Sequence, residues 1–422
     1  MSKKEIFIPT NVLEKSLENN QFALLRFFVE LFGLESSRQI LDLLSQNPDN
    51  DDFNEANEVI FNQLRDMFPY FRNLERSQIE SIIIEMHRKS NEIVEQVMRI
   101  SYPGMDHELG LLNTTGVPTI NIAKRIHKMM SNGSSTERYK YELLRQDVLA
   151  LMLMELSKYI HTVPNSENLH CLQEIFEKEL YQGKVGDIQP KELFSIHSDA
   201  DNQCVGTFLS FAEAETFVNK NCQFGSVHIK SHKWRMREVD SIGDVLTNMR
   251  TKSDSAIIRK MIYNSSNDTS PRPKIRIGLD SDLFDTTGFM FVVANGESQH
   301  MINRLIILIR NYYPQATFVE KNKVRKGRGQ SDKVSFLRFL AYLGDEESPI
   351  EVMVMEQDNY MNYRFELEQA HELFTLRKSA VSAKVLFPQA VFNYDAEEVD
   401  KQRKLENKLI KERLLRQGRT TT

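Results

Sequence analysis

Apolar residues recur at three- and four-residue spacing in "NVLEKSLENNQFALLRFFVELFG" (11–33), "LERSQIESIIIEMHRKSNEIVEQVMRI" (74–100) and "ERYKYELLRQDVLALMLMELSKYI" (137–160). That period matches one face of an α-helix, so residues 1–185 are predicted to be helix after helix. Ser134, followed three residues later by Glu137, has the pattern of a capping box opening the third segment. The breaks fall at "SQNPDNDD", "SYPGMDHE" and "SNGSS", and strand signals are nearly absent.

From about residue 190 the pattern shortens to β-type runs, "GTFLSF", "SVHIKS", "GFMFVVA", "VSFLRFLAYL" and "IEVMVME". Between them lie "SIGDVLTNMRTKSDSAIIRKMI", "SQHMINRLIILIRNYY" and "YMNYRFELEQAHELFTLRKSA", each long enough for a helix covering a sheet. The expected class is α+β: a helical domain over 1–185, a connecting α/β segment over 186–222, a mixed-sheet domain with flanking helices over 223–395, and a C-terminal helix over 396–422. The last 22 residues hold eight Lys or Arg against two Glu, with Leu405, Leu409 and Leu414 or Leu415 at helical spacing. This reads as an exposed amphipathic helix, either solvated or docking onto RNA or an acidic partner.

Composition narrows the class. Apolar residues make up 41% and charged residues 27%, as in a globular protein able to bury a core. The net charge of −5 excludes a chain that is basic throughout, so any nucleic-acid surface must be local. Three cysteines without CxxC spacing give neither a disulfide framework nor a zinc signature. With no apolar leader in "MSKKEIFIPT" and only a short, charge-interrupted apolar segment in "DVLALMLMELSKYI", the expectation is a soluble cytoplasmic protein that does not enter the membrane.

Several motifs are excluded by chemistry. "NPDNDDFNEANE" lacks the glycine of a calcium loop and puts Phe53 at a ligand position. "KGRGQSDK" does not have P-loop spacing, and neither HExxH nor GxSxG occurs.

One constellation survives. In "DLFDTTGFMFVV", Asp285 stands at the mouth of an apolar strand. Sixty-six residues later "IEVMVMEQ" alternates, with Ile350, Val352 and Val354 on one face and Glu351, Met353 and Met355 on the other. A charged Glu351 among methionines needs a cation or a metal as partner. Mg²⁺ shared with Asp285 would serve, since it takes one or two carboxylates and leaves positions for phosphate. The basic stretches "HIKSHKWRMR" and "KNKVRKGRGQSDKVSFLR" would meet those phosphates, a layout that suits phosphoryl or nucleotidyl transfer.

With these residues in view, the C-terminal half resembles the RelA/SpoT family of (p)ppGpp synthetases. "VHIKSHKWRMREVDSIGDVLTNM" is similar to the family's basic strand and the Ser-Ile helix after it, with Lys230 matching a lysine and His228 standing where arginine is usual. "LFDTTGFMFVV" resembles the segment of the magnesium-binding aspartate, "KVSFLRFLAYL" the acceptor-nucleotide strand, and "IEVMVMEQ" the strand of the catalytic glutamate, with "EQAHELFTLRK" as the helix that follows. The acceptor pocket departs from the family: its base-stacking tyrosine falls at Val334, its histidine at Arg338, Met290 replaces an arginine, and Met355–Glu356 replace Arg-Thr. The family's hydrolase His-Asp dipeptide occurs nowhere, so the helical half is expected to be a regulatory or protein-binding module.

The resemblance implies a nucleotidyltransferase-like fold and Mg²⁺-dependent transfer of pyrophosphate from ATP to a ribose hydroxyl of a nucleotide or tRNA. Asp285 and Glu351 would be the metal and catalytic pair. Lys230, Lys233 and Arg235 would neutralise ATP, and Arg325, Lys326, Arg328 and Arg338 would meet the acceptor. The alternative is a non-catalytic nucleotide- or protein-binding regulator that keeps the fold. A third reading, another nucleotidyl transfer, rests on "FGS" at 224–226 and "EVD" at 238–240.

Overall fold

The computed structural model of the protein describes residues 6–9, 34–44, 48–105, 109, 121–130, 137–160, 163–181, 190–220, 226–251, 256–260, 262, 274–277, 287–320, 335–344, 349–367 and 371–417. The segment 11–33 and Ser134 lie outside these residues. Helices and strands mix in an α+β architecture, with helices first and the sheets after them.

In chain order the strands are β1 (Ile6–Pro9), β2 (Pro190–Ser198), β3 (Cys204–Phe208), β4 (Val227–Arg235), β5 (Arg237–Val239) and β6 (Gly243–Thr251). They continue with β7 (Lys274–Ile277), β8 (Thr287–Val293), β9 (Thr317–Glu320), β10 (Leu337–Tyr342) and β11 (Ile350–Glu356).

The chain forms two compact units that alternate along the sequence. The first takes residues 1–160, 253–283 and 378–403, and the second takes 161–252, 284–377 and 404–422. The expected boundary at 185 therefore falls at 160. The helix Val163–Ile175 belongs with the sheets, because Leu169, Leu172 and Ile175 are buried in the sheet core. A helical period shows that a face is buried but not which core receives it.

In the helical unit, Asn50–Met67 opens on Asp49, whose carboxylate accepts from the Asp51 and Asp52 amides at 2.8 and 3.0 Å. Asp52 accepts in return from the Asp49 amide at 3.0 Å. The acidic run is thus a capping box. Arg76–Ser101 lays Ile79, Ile83, Ile93, Val94 and Val97 into the core as its spacing predicts. In Glu137–Ile160 the stretch from Tyr141 to Met154 is enclosed on nearly all sides, with every residue except Asp147 buried. Its Arg145 donates to the Leu386 carbonyl at 2.6 Å and lies 4.8 Å over the Phe387 ring. An antiparallel β1–β7 ladder, pairing Ile6 with Ile277, adds strand structure that the periodicity did not predict.

The second unit carries a six-stranded sheet in the order β5-β6-β8-β11-β10-β9, in which β8 and β11 are parallel and the other pairs antiparallel. One face, with Phe289, Phe291, Ile350, Val352 and Val354, packs under Ser298–Tyr312 and the helical segment of Leu172 and Phe176. The other carries Glu351, Met353 and Met355, as the alternation predicts. A three-stranded antiparallel sheet, β3-β2-β4, lies in the same unit.

The expected helix at "SIGDVLTNMR" is instead a β5–β6 hairpin, turned by positive φ at Ser241 (64°) and Gly243 (89°). Val245 and Leu246 go to opposite faces, so the apolar residues here follow a two-residue period. The anchor assigned by resemblance to a Ser-Ile helix is therefore a turn and a strand. The helix Ala396–Arg416 forms as expected, but it buries Ile410 and Leu414 and leaves Leu405 and Leu409 exposed. No described helix is long and apolar enough to cross a membrane.

Candidate nucleotide-binding site

Glu351 sits on the central strand β11 and is 1% exposed. Its cation is Arg338 on β10, which stands opposite Met353 and reaches diagonally to donate from Nη1 to Glu351 Oε1 at 3.0 Å. Arg338, assigned by resemblance to the acceptor, thus meets the glutamate's electrostatic requirement. On the other side of β11, Gly288 pairs with Glu351. A Cβ there would lie 2.2 Å from the Glu351 carbonyl oxygen, so the close approach of β8 and β11 requires glycine at this point.

Asp285, Arg325, Lys326, Arg328 and Val334 lie outside the described residues. Among the described residues no three His, Cys, Asp or Glu side chains come together as a metal site.

Lys230 is on β4, in the smaller sheet, and is fully buried. Its Nζ donates to the Leu414 carbonyl at 2.6 Å and lies 4.8 Å over the Phe365 ring. The structure therefore brings Glu351 to Arg338 and Lys230 to the C-terminal helix. His228, beside it, bonds Asp199 at 2.6 Å and stacks on His197.

Lys233 and Arg235 do share a site. β4 is an edge strand, so consecutive residues from both of its faces reach one pocket of about 480 Å³. Arg364 completes a trio of cations there, and Trp234, Tyr360 and Phe365 supply aromatic walls. Trp234 meets Tyr360 edge-on at 5.2 Å, which fixes the indole. Ser231, His232, Asn248 and Gln417 are the uncharged polar groups, and no described carboxylate lines the pocket.

Behind it runs a buried hydrogen-bond chain on the β2–β4 ladder: Ser195 Oγ lies 2.8 Å from His197 Nε2 and 2.9 Å from His232 Nε2, and His197 Nδ1 lies 2.8 Å from the Asn202 carbonyl. Burial pushes His197 down to about 3, helped by Lys230, and burial together with Lys230 and Arg364 pushes His232 down to about 4. Both imidazoles are neutral at pH 7.

No protein-family model matches the sequence, and no curated protein matches it significantly. Sequence reasoning found Lys233 and Arg235 through the basic run "HIKSHKWRMR" but missed Arg364, Trp234, Tyr360, Phe365, Asn248 and His232. The available signal was the aromatic and basic cluster "YMNYRF", which read only as a sheet-covering helix.

Proposed function

We propose that the sheet unit is a RelA/SpoT-like nucleotide-binding module whose ligand occupies the β4 pocket. The observation that carries this reading is the joining of three cations and three aromatic rings in one cavity that no described carboxylate lines. Guanidinium and ammonium groups take phosphate oxygens through charge-assisted hydrogen bonds, and aromatic walls take the face of a base. Lys233 and Arg235 are exposed, so the variant Lys233→Glu/Arg235→Glu is expected to fold and to bind ATP about tenfold to a hundredfold more weakly by calorimetry. Equal affinity, with an unchanged circular-dichroism spectrum, would sink the reading.

A second reading, Mg²⁺-dependent transfer of pyrophosphate from ATP to a ribose hydroxyl, is favoured by the strand register. Gly288 pairs with Glu351 across parallel strands, and Asp285 precedes that glycine by three residues, a chain length of about 10 Å at most. Asp285 and Glu351 would hold Mg²⁺, which would neutralise charge on the ATP phosphates. The test is incubation of the full chain with γ-labelled ATP, Mg²⁺ and a panel of nucleotides and tRNA. Label is expected in an acceptor with wild type and not with Asp285→Ala; no labelled product with any acceptor leaves binding alone.

A further inference from the structure

The chain of hydrogen bonds behind the pocket fixes which nitrogen of His232 carries the proton. A carbonyl oxygen only accepts, so His197 Nδ1 must donate to Asn202, and neutral His197 has an acceptor at Nε2. Ser195 has one hydroxyl proton and gives it to that nitrogen. The Ser195 oxygen can then only accept from His232, whose Nε2 therefore carries the hydrogen. The lone pair of neutral His232 is left on Nδ1. That atom has no hydrogen-bond partner among the described residues and is not among the buried unsatisfied atoms, so it meets solvent where His232 lines the pocket. Stacking of the imidazole on Phe365, with centroids 4.9 Å apart and planes at 25°, holds the ring in place.

We infer that His232 Nδ1 is a fixed hydrogen-bond acceptor that reads an amino group on the edge of the bound base, making His232 a specificity-determining residue of the pocket. The inference rests on the nucleotide-binding reading and deepens it. A ring whose tautomer is set from behind cannot switch to donate, so a base that offers only acceptors at that edge leaves the nitrogen unpaired. Asn248, an amide that offers both a donor and an acceptor, also lines the pocket. Ser195, fully buried, acts as a positioning residue through the tautomer it imposes.

The test compares ATP with purine riboside triphosphate, which lacks only the 6-amino group, and with inorganic tripolyphosphate, by calorimetry on the full chain. Wild type is expected to prefer ATP over purine riboside triphosphate by about threefold to tenfold, the worth of one neutral hydrogen bond. His232→Phe keeps the stacked ring and is expected to bind both nucleotides equally. His232→Asn, which places an amide oxygen near the former Nδ1, is expected to restore part of the preference. Ser195→Ala frees the tautomer, so its preference should fall, and the ¹⁵N shifts of His232 should move from the Nε2–H pattern to a mixture. Equal binding of the two nucleotides by wild type, alongside tight tripolyphosphate binding, overturns the role of His232 and leaves the pocket standing. Failure of all three ligands to bind overturns both.

Discussion

Asp147→Ala is expected to destabilise the helical unit by about 3–5 kcal/mol, the cost of stranding a buried charge. One oxygen, Asp147 Oδ1, accepts from Arg125 Nε at 3.0 Å and Nη2 at 2.7 Å, and from His87 Nε2 at 2.8 Å. Arg125 is fully buried, and its Nη1 already has no partner among the described residues, so the guanidinium has little other compensation. Gln146 Oε1, at 2.7 Å from Nη2, supplies a dipole but no charge.

Asp147→Asn should cost less than alanine, because it keeps an acceptor and loses only the ion pair. Burial works against the Asp147 carboxylate, but Arg125 and the hydrogen bond from His87 outweigh it and hold the group below its ordinary value. A lowered folded pKa contributes stability that is fully present above the unfolded value of about 3.9 and is lost as pH falls through the folded one. Wild type should therefore lose stability steeply below about pH 4, and Asp147→Ala should lose less over that range. Urea unfolding with hydrogen exchange on Glu137–Ile160 as the local probe measures both effects. A loss below about 1 kcal/mol would show that Arg125 finds solvent without its partner.

The sequence showed most where the two faces of a strand meet different cores. The alternation of "IEVMVME" predicted strand β11 and both of its faces, since a residue on the wrong face would bury a charge in the larger core. It also required a cation or a metal as partner for Glu351, and the structure places Arg338 against it. It showed least where two periods coincide. "DVLTNM" carries apolar residues at spacings that suit a helix, and only the left-handed turn at Ser241 and Gly243, together with pairing to β8, makes it a strand. The division into units was hidden for a related reason: Ile257, Ile258 and Phe387 complete the helical core from segments far along the chain, and no local pattern carries that information. The pocket was half legible, because charge on β4 is visible in sequence while the convergence of Arg364 and Tyr360 depends on how a helix meets a strand edge.

Arg338→Met is expected to cost the sheet unit about 3–5 kcal/mol, whereas Glu351→Gln should cost only about 1 kcal/mol. The asymmetry follows from burial. The Glu351 side chain is 1% exposed and the Arg338 side chain 29%, so an arginine that loses the carboxylate can turn toward water, while a carboxylate that loses the guanidinium stays buried without that ion pair. Combining the two substitutions should recover most of what Arg338→Met loses, because the buried carboxylate charge is then gone; a double-mutant cycle by urea unfolding gives that coupling. Arg338→Lys should recover little, since an ammonium cannot reproduce a guanidinium that reaches diagonally across the ladder from its position opposite Met353. The same pair separates the two functional readings. Removing Arg338 takes its cation away from Oε1, so under the transferase reading millimolar Mg²⁺ raises the melting temperature of Arg338→Met, and adding Asp285→Ala abolishes the rise. If Mg²⁺ leaves the variant's melting temperature unchanged, Glu351 serves the sheet as a structural acid and the transferase reading loses its metal pair.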